Sequence, residues 1–238
     1  MRIGFFGDSL TAGVPGSSYV AMLRERFPED TLLNFGRAND TVVSLHRRVS
    51  AMRFDEPLDV AFLWIGVNDV PPSSRWSDRA FHALLGQRRA RDMHEFRTYF
   101  RATLGLLCNR AGRVIVAPPA LKGENPENPP NCRLADLAGL IREVTAECER
   151  AEFLDLQAAF GRALASRPGS DPLPGNPLRV LLDALTLRTD GQIDARSAER
   201  GLQLTLDGVH LNSAGARLVA EELAAAIQNL ASPVRQGR

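Results

Sequence analysis

Five short apolar runs, separated by segments of helical periodicity, constrain the fold of this chain most strongly. The runs are rich in β-branched and aromatic residues and do not alternate with polar ones, which is typical of strands covered on both faces. Strands alternating with helices predict a parallel sheet with right-handed crossovers. We therefore expect an α/β fold, a three-layer α/β/α sandwich with strand order 2-1-3-4-5. The predicted strands are 2–6, 32–36, 60–65, 113–117 and 152–156.

Apolar residues at intervals of three and four mark the helices between these strands. This spacing places the apolar side chains on one helix face, which packs against the sheet. The pattern covers 19–27 after the first strand, 96–107 after the third and 137–144 after the fourth. A last helix is predicted over 214–230, with Asn212 or Ser213 as its N-cap.

The length of 238 residues fits a single domain over 1–238. Three long segments do not follow the alternation and are predicted to be loops, at about 70–92, 118–132 and 169–206; the last has room for a small hairpin or an added helix. Loops beyond about 12–15 residues inside a compact domain are usually functional or disordered. We expect the first and third to overhang the functional site.

Composition excludes several classes of partner and location. The formal net charge of +1 argues against nucleic acid as a partner, because nucleic-acid-binding proteins usually carry a basic excess. The longest apolar run, 60–67, is far below the roughly 20 residues that a membrane span requires. An apolar stretch of signal-peptide length is missing near residue 1, so a cytoplasmic location is expected. The three cysteines, Cys108, Cys132 and Cys148, are then simplest as reduced packing residues.

Small or polar residues follow each of the first three predicted strands, at the edge where open α/β sheets bind ligands. Ser9 lies in Gly-Asp-Ser-Leu, Gly36 in Asn-Phe-Gly, and Asn68 in Gly-Val-Asn-Asp. Asp207 and His210 precede the last helix and are three residues apart, so one turn brings the carboxylate to the imidazole Nδ1. Nucleophilic attack by Ser9 needs such a base, held in the right tautomer by an acid. The N–H groups of Ser9 and Gly36 and the Asn68 amide are candidate oxyanion donors.

The chain resembles the SGNH hydrolase superfamily, also called the GDSL esterases, in which four blocks contribute Ser, Gly, Asn and His. All four blocks occur here in order, over about residues 2–230. The resemblance implies a flavodoxin-like fold. It also implies Ser9, Asp207 and His210 as catalytic residues, with Ser9, Gly36 and Asn68 in the oxyanion hole. One departure is Asn39, which stands where the second block usually has a further glycine; asparagine tolerates left-handed backbone better than most residues.

The predicted function is that of a serine ester hydrolase acting on a small-molecule acyl ester, with a short acyl group such as acetyl on a sugar or metabolite. Alternatives within the same fold are an acyltransferase, a lysophospholipase and a thioesterase. An alternative of another class is a catalytically silent module that binds carbohydrate or protein. No cofactor or metal is expected, because the sequence has no HExxH, no Cys/His ligand spacing and no glycine-rich phosphate loop. The sequence does not indicate an oligomeric state.

Trp76 and a basic run, both outside the four blocks, have two interpretations each. Trp76 either stacks on a sugar or acyl chain or packs in the loop. The run Arg88, Arg89 and Arg91 either binds an anionic substrate or forms a solvated helix face. The remaining histidines, His46, His82 and His94, have no carboxylate at a matching spacing and are expected to be surface or packing residues.

Overall fold

The computed structural model describes residues 1–70, 88–165 and 177–231, and it confirms the predicted sheet. Five strands pair in the order β2-β1-β3-β4-β5, and every pair is parallel. The register aligns Gly7 with Gly36 on one side and with Trp64 on the other, so these three strands end together. The strands are β1 Arg2–Gly7, β2 Thr31–Gly36, β3 Leu58–Trp64, β4 Ala111–Ala117 and β5 Ala151–Phe153.

Two separate apolar cores cover the two faces of the sheet. Successive residues of a strand point to opposite faces, and Phe5 accordingly packs into one core while Phe6 packs into the other. On β3, Phe62 and Leu63 divide in the same way. Because both faces are buried, the central strands carry no polar alternation, which explains why their sequences read as continuous apolar runs.

Nine helices within the described ranges complete the three layers. Helices α2, α6 and α9 contribute to the core on one face, and α3, α4 and α5 contribute to the core on the other. The helices are α1 Ser9–Ala12, α2 Tyr19–Arg26, α3 Val42–Ala51, α4 Met93–Cys108, α5 Pro129–Ala146, α6 Leu156–Leu164, α7 Pro177–Thr186, α8 Asp190–Glu199 and α9 Ser213–Ala231.

Side-chain caps set several boundaries that periodicity left open. The fifth strand is shorter than predicted because Asp155 accepts a hydrogen bond from the Ala158 N–H and starts α6. The predicted loop 118–132 ends early, since Asn128 caps α5 and Pro129 occupies its first position. Asn212 Oδ1 accepts from the Gly215 N–H, so Asn212 is the cap of α9 and Ser213 is its first residue.

The predicted loop 169–206 contains α7 and α8 within its described part. The sequence indicated a small hairpin or an added helix there, and the structure has two helices. Thr189 caps α8 through a capping box with Gln192, a local signal that favours a helix there. Trp76 and His82 lie outside the described residues.

Two of the three cysteines lie close together although they are 40 residues apart in the chain. The Sγ atoms of Cys108 and Cys148 are 2.6 Å apart, and both cysteines are free, as is the exposed Cys132. In the parts of the chain that the structure describes, no helix is long and apolar enough to cross a membrane.

Candidate active site

The carboxyl ends of β1, β2 and β3 meet at one edge of the sheet, and Ser9 lies at that edge. It is the first residue of α1, directly after Asp8, whose carboxylate caps the helix by accepting from the Leu10 N–H at 3.0 Å. Gly7 leaves no room for a side chain, because a Cβ there would lie 2.2 Å from the Thr11 hydroxyl oxygen. The strand end and the short helix therefore fix the position of Ser9.

Ser9, His210 and Asp207 form one hydrogen-bonded chain. Ser9 Oγ lies 3.0 Å from His210 Nε2, and His210 Nδ1 lies 2.8 Å from Asp207 Oδ2. All three residues are buried, each with less than 10% of its surface exposed. The arrangement meets the geometric requirement for a nucleophile with its base and an acid that orients the base.

The loop that carries Asp207 and His210 is held by its own backbone. Asp207 Oδ1 accepts from the N–H groups of Val209 and His210, which leaves Oδ2 for the imidazole. The Leu206 N–H donates to the His210 carbonyl at 2.6 Å. Gly208 has a φ of 92°, a left-handed conformation that glycine adopts without strain. The three-residue spacing of acid and base therefore results from a tight turn.

Charges within this group perturb its titration. Burial by itself lowers the pKa of His210, but the charge and hydrogen bond of Asp207 outweigh burial and raise that pKa above 6.5. For Asp207, burial acts to raise the pKa, and the charge and hydrogen bond of His210 lower it below its usual value. The ion-pair form of the two residues is thus favoured.

Asp8, which precedes the serine, is almost completely buried. Burial raises the pKa of this carboxyl to about 7, although the Leu10 N–H and the charge of His210 act in the opposite direction. In the unfolded chain the same group loses its proton near pH 3.8. Between these two pH values the folded state binds more protons than the unfolded state, so this group makes stability fall as the pH rises.

Asp8→Asn is therefore expected to be more favourable to stability at pH 8 than at pH 4. The asparagine retains an acceptor for the Leu10 N–H and carries no charge. Relative to the wild type, the variant should gain at most about 4 kcal/mol of unfolding free energy between pH 4 and pH 8. Urea unfolding at several pH values measures this difference. Parallel pH profiles for the two proteins would show that Asp8 is ionised in the folded state throughout.

Asn68 follows β3 and is bound to the turn that follows β2. Its Nδ2 donates to the Asp40 carbonyl at 2.9 Å. The adjacent Asp69 carboxylate accepts from the Val42 N–H at 2.9 Å, at the start of α3. Burial raises the pKa of Asp69 to about 7, and the hydrogen bonds from Val42 and Ala90 oppose the shift. The third block is thus joined by direct hydrogen bonds to the turn between β2 and α3.

Gly36 occupies a position that requires glycine for packing. A Cβ there would lie 2.2 Å from the Ala12 backbone nitrogen, so β2 approaches α1 as closely as a backbone allows. Its N–H donates to Asn34 Oδ1 at 2.8 Å. This N–H reaches an oxyanion only after the Asn34 side chain has turned away, and the role of Gly36 as second donor stays a prediction. Asn39 adopts the left-handed conformation expected of it, with a φ of 61°.

Several other polar residues singled out in the sequence have local partners. Two arginines of the basic run, Arg88 and Arg91, pair with Glu95 at the start of α4, at 2.9 and 3.2 Å. His46 Nδ1 lies 3.3 Å from the Thr103 hydroxyl, and its ring packs beside Tyr99. Within the described ranges, no group of three or more His, Cys, Asp and Glu is placed to hold a metal ion.

Two buried charged residues near the site were not singled out in the sequence. Lys122 Nζ donates to the carbonyls of Val67 and Val70, on either side of Asn68. The Glu124 carboxylate accepts from the backbone just before Asp207. They lie in a Pro- and Asn-rich connection without periodicity, where the one available signal was that Lys122 is the only lysine of the chain.

The sandwich fold and the four blocks at one sheet edge define the class of SGNH hydrolases. The sequence profile of the GDSL-like lipase/acylhydrolase family matches residues 5–218. The chain belongs to this family and is a carboxylic ester hydrolase. No curated protein matches the sequence significantly.

Solved structures with the same fold include several esterases. An acetyl xylan esterase named AlAXEase superposes with a TM-score of 0.66 at 22% identity, over 95% of this chain and 100% of that one. An α/β hydrolase from the metagenome of Lake Arreo, Spain, gives 0.65 at 23% identity, over 97% and 96%. An acetylxylan esterase from Geobacillus stearothermophilus gives 0.64 at 19% identity, over 95% and 93%. At these identities the likeness shows the fold.

Proposed function

We propose that this chain hydrolyses esters of a short acyl group, such as acetyl on a sugar or small metabolite, with Ser9 as the nucleophile. The observation that carries the proposal is the unbroken hydrogen-bond chain from Ser9 through His210 to Asp207, with distances of 3.0 and 2.8 Å. A module that only binds carbohydrate or protein has no need for this alignment.

The reaction proceeds in two halves. In the first, Ser9 Oγ forms a bond to the acyl carbon while its proton passes to His210 Nε2, and the carbonyl oxygen becomes an oxyanion. The intermediate collapses when the bond to the leaving alcohol breaks and His210 returns the proton to that alcohol. Water then repeats the sequence on the acyl-enzyme and releases the acid, while Asp207 stabilises the imidazolium in both halves.

Two donors are proposed to stabilise the oxyanion. The Ser9 N–H is available because the first N–H groups of a helix have no acceptor within it. The Asn68 amide uses one hydrogen on the Asp40 carbonyl, and its other hydrogen remains for the oxyanion. The Asp40 contact fixes the orientation of the amide before the substrate binds, as preorganised stabilisation requires.

Asn68→Ala is expected to lower kcat by about 10²–10³-fold, since one oxyanion donor is removed. KM should change little, because the oxyanion exists only in the transition state and the intermediate. Steady-state kinetics with p-nitrophenyl acetate measures both constants. An unchanged kcat would show that Asn68 does not contribute to the oxyanion hole.

The preference for a short acyl group is supported by the structural neighbours. Two of them are acetylxylan esterases. Structures described as catalytic mutants of the Geobacillus enzyme replace a serine, an aspartate and a histidine, and in that enzyme too the last two are three positions apart. The same three residue types, with the same acid–base spacing, form the hydrogen-bond chain seen here.

Hydrolysis of p-nitrophenyl esters from acetate to palmitate tests the proposal, with Ser9→Ala as the blank. We expect the highest kcat/KM with the acetate ester. With the palmitate ester we expect no hydrolysis above that of the blank. A maximum at long chains would overturn the short-acyl assignment in favour of a lipid or thioester substrate. A fluorophosphonate, which labels activated serines, separates the other outcomes. Labelling of Ser9 without hydrolysis would indicate an acyltransferase. The absence of both labelling and hydrolysis would indicate a silent binding module.

A further inference from the structure

A three-residue segment between β4 and α5 contacts both loops that carry the site. It consists of Lys122, Gly123 and Glu124, and we call it the 122–124 clamp. We propose that the 122–124 clamp holds the Asn68 turn and the Asp207–His210 loop in fixed positions relative to each other, so that Lys122 and Glu124 are positioning residues. The proposal rests on the proposed function, since it concerns the same oxyanion and acid–base groups.

Lys122 holds the turn that presents Asn68. Its Nζ donates to the Val67 carbonyl at 3.2 Å and to the Val70 carbonyl at 2.7 Å, so the ammonium bridges the chain on both sides of Asn68. The residue is only 6% exposed. Burying an ammonium is costly unless hydrogen bonds compensate it, and an apolar side chain would avoid that cost. The bridge it makes is what an apolar side chain cannot supply.

Glu124 holds the start of the loop that carries Asp207 and His210. Its Oε1 accepts from the N–H groups of Leu204 and Thr205 and from the Thr205 hydroxyl, each at 2.8 Å. Its Oε2 accepts from the Gln203 N–H at 2.7 Å. Four hydrogen bonds to one buried carboxylate are charge-assisted and short, which makes them strong. They fix the chain two residues before Asp207.

Gly123 lies between the two charged residues and contacts the Asp207–His210 loop directly. Its N–H donates to the Gly208 carbonyl at 2.6 Å, between Asp207 and His210 in the sequence. Its φ of 84° is left-handed, which reverses the chain between the lysine and the glutamate. The 122–124 clamp thus contacts the Asp207–His210 loop through Gly123 and the chain just before it through Glu124.

The 122–124 clamp is itself fixed to the first turn of α5. Asn131 Oδ1 accepts from the Lys122 N–H at 2.7 Å, and Asn131 Nδ2 donates to the Gly123 carbonyl at 3.0 Å. Asn128, the cap of α5, donates to the Lys122 carbonyl at 2.9 Å. Because α5 packs on the sheet, the 122–124 clamp connects both loops to one rigid element.

Neutral variants of the two charged residues test the proposal. Lys122→Met and Glu124→Gln are each expected to lower kcat by about 10–100-fold, because small misplacements of catalytic groups have effects of this size. KM should change by less than about threefold, since the contacts lie behind the reacting groups. Assays are made below the melting transition of each variant, as followed by circular dichroism.

Double variants distinguish positioning from general stability. If Lys122 acts through Asn68, Lys122→Met should lower kcat less than about threefold in an Asn68→Ala background but keep its full effect with Asp207→Asn. Glu124→Gln, in contrast, should lower kcat less than about threefold in an Asp207→Asn background and keep its full effect with Asn68→Ala. The same loss in both backgrounds would overturn the proposal. Asp155→Asn, which removes a helix-capping carboxylate at the β5 edge, is the matched control and should leave kcat unchanged.

Variants that keep the charge cover the case in which a neutral variant does not fold. Lys122→Arg and Glu124→Asp retain part of each set of hydrogen bonds and should show intermediate kcat values at unchanged KM. Wild-type kcat in both would overturn the proposal. Ser9→Ala separates the two levels of inference. If Ser9→Ala is inactive while the 122–124 clamp variants have wild-type kcat, only the positioning role fails; if Ser9→Ala is active, the proposed function itself fails.

Discussion

Ser9→Ala is expected to lower kcat by about 10⁵–10⁶-fold, because the variant has no oxygen to form the acyl-enzyme. The substitution removes one hydroxyl group from a buried position, and alanine fits the first turn of α1. The fold should therefore remain intact, and KM should stay within a fewfold of the wild-type value. Pre-steady-state kinetics with excess p-nitrophenyl acetate should show no burst in the variant, and intact-protein mass spectrometry should show no fluorophosphonate adduct.

Ser50→Ala is the matched control for this experiment. Ser50 also lies near a histidine, with Oγ 3.5 Å from His46 Nε2. There the other ring nitrogen faces the Thr103 hydroxyl and no carboxylate. The Ser50 variant should have wild-type kcat and should still be labelled at Ser9. Residual activity of the Ser9 variant above about 1% of wild type would contradict a role as nucleophile.

Asp207→Asn is expected to lower kcat by about 10⁴-fold while leaving the fold in place. The asparagine amide can donate to His210 Nδ1, which would put the ring proton on Nε2 and leave no base for the Ser9 hydroxyl. The substitution also removes the negative charge that raises the pKa of His210. Burial then dominates and lowers that pKa.

The pH dependence gives this second prediction an independent readout. His210 must be neutral to accept the serine proton, so kcat/KM should rise with pH through its pKa, which lies above 6.5 in the wild type. In Asp207→Asn the rise should occur at lower pH. The measurement is kcat/KM for p-nitrophenyl acetate between pH 5 and pH 9, with Asp155→Asn as the control. An acid limb at the same pH in both proteins would contradict the assignment of Asp207 as the partner of His210.

Much of the fold was predictable because it follows from local regularities. Strands buried on both faces must be apolar at nearly every position, as Phe5 and Phe6 on β1 illustrate. Helices that pack on them must carry apolar residues at every third or fourth position. The handedness of parallel crossovers then restricts the strand order. Boundaries were less predictable, because caps such as Asp155 and Asn128 act through single hydrogen bonds that periodicity does not record.

The three residues of the candidate triad lie together in the structure, and their catalytic role stays a prediction. The turn between Asp207 and His210 is local, and the end of β1 fixes Ser9, so blocks at strand ends were sufficient to predict that the three residues meet. The direction of individual N–H groups was not predictable. Whether the Gly36 N–H points to a substrate or to Asn34 depends on how β2 packs against α1, and that contact is absent from any sequence pattern.

The sequence by itself determined the layered architecture, the strand order and the four residue blocks of this hydrolase. Each of these depends on patterns that a short stretch of chain carries within itself. Only the tertiary structure decided how the blocks are supported, through Lys122 and Glu124. Their hydrogen bonds join residues that lie more than fifty positions apart in the chain. Such contacts exist only after the sheet has brought β3, β4 and the Asp207–His210 loop to one edge, because a buried charge has no preferred partner until the fold supplies one.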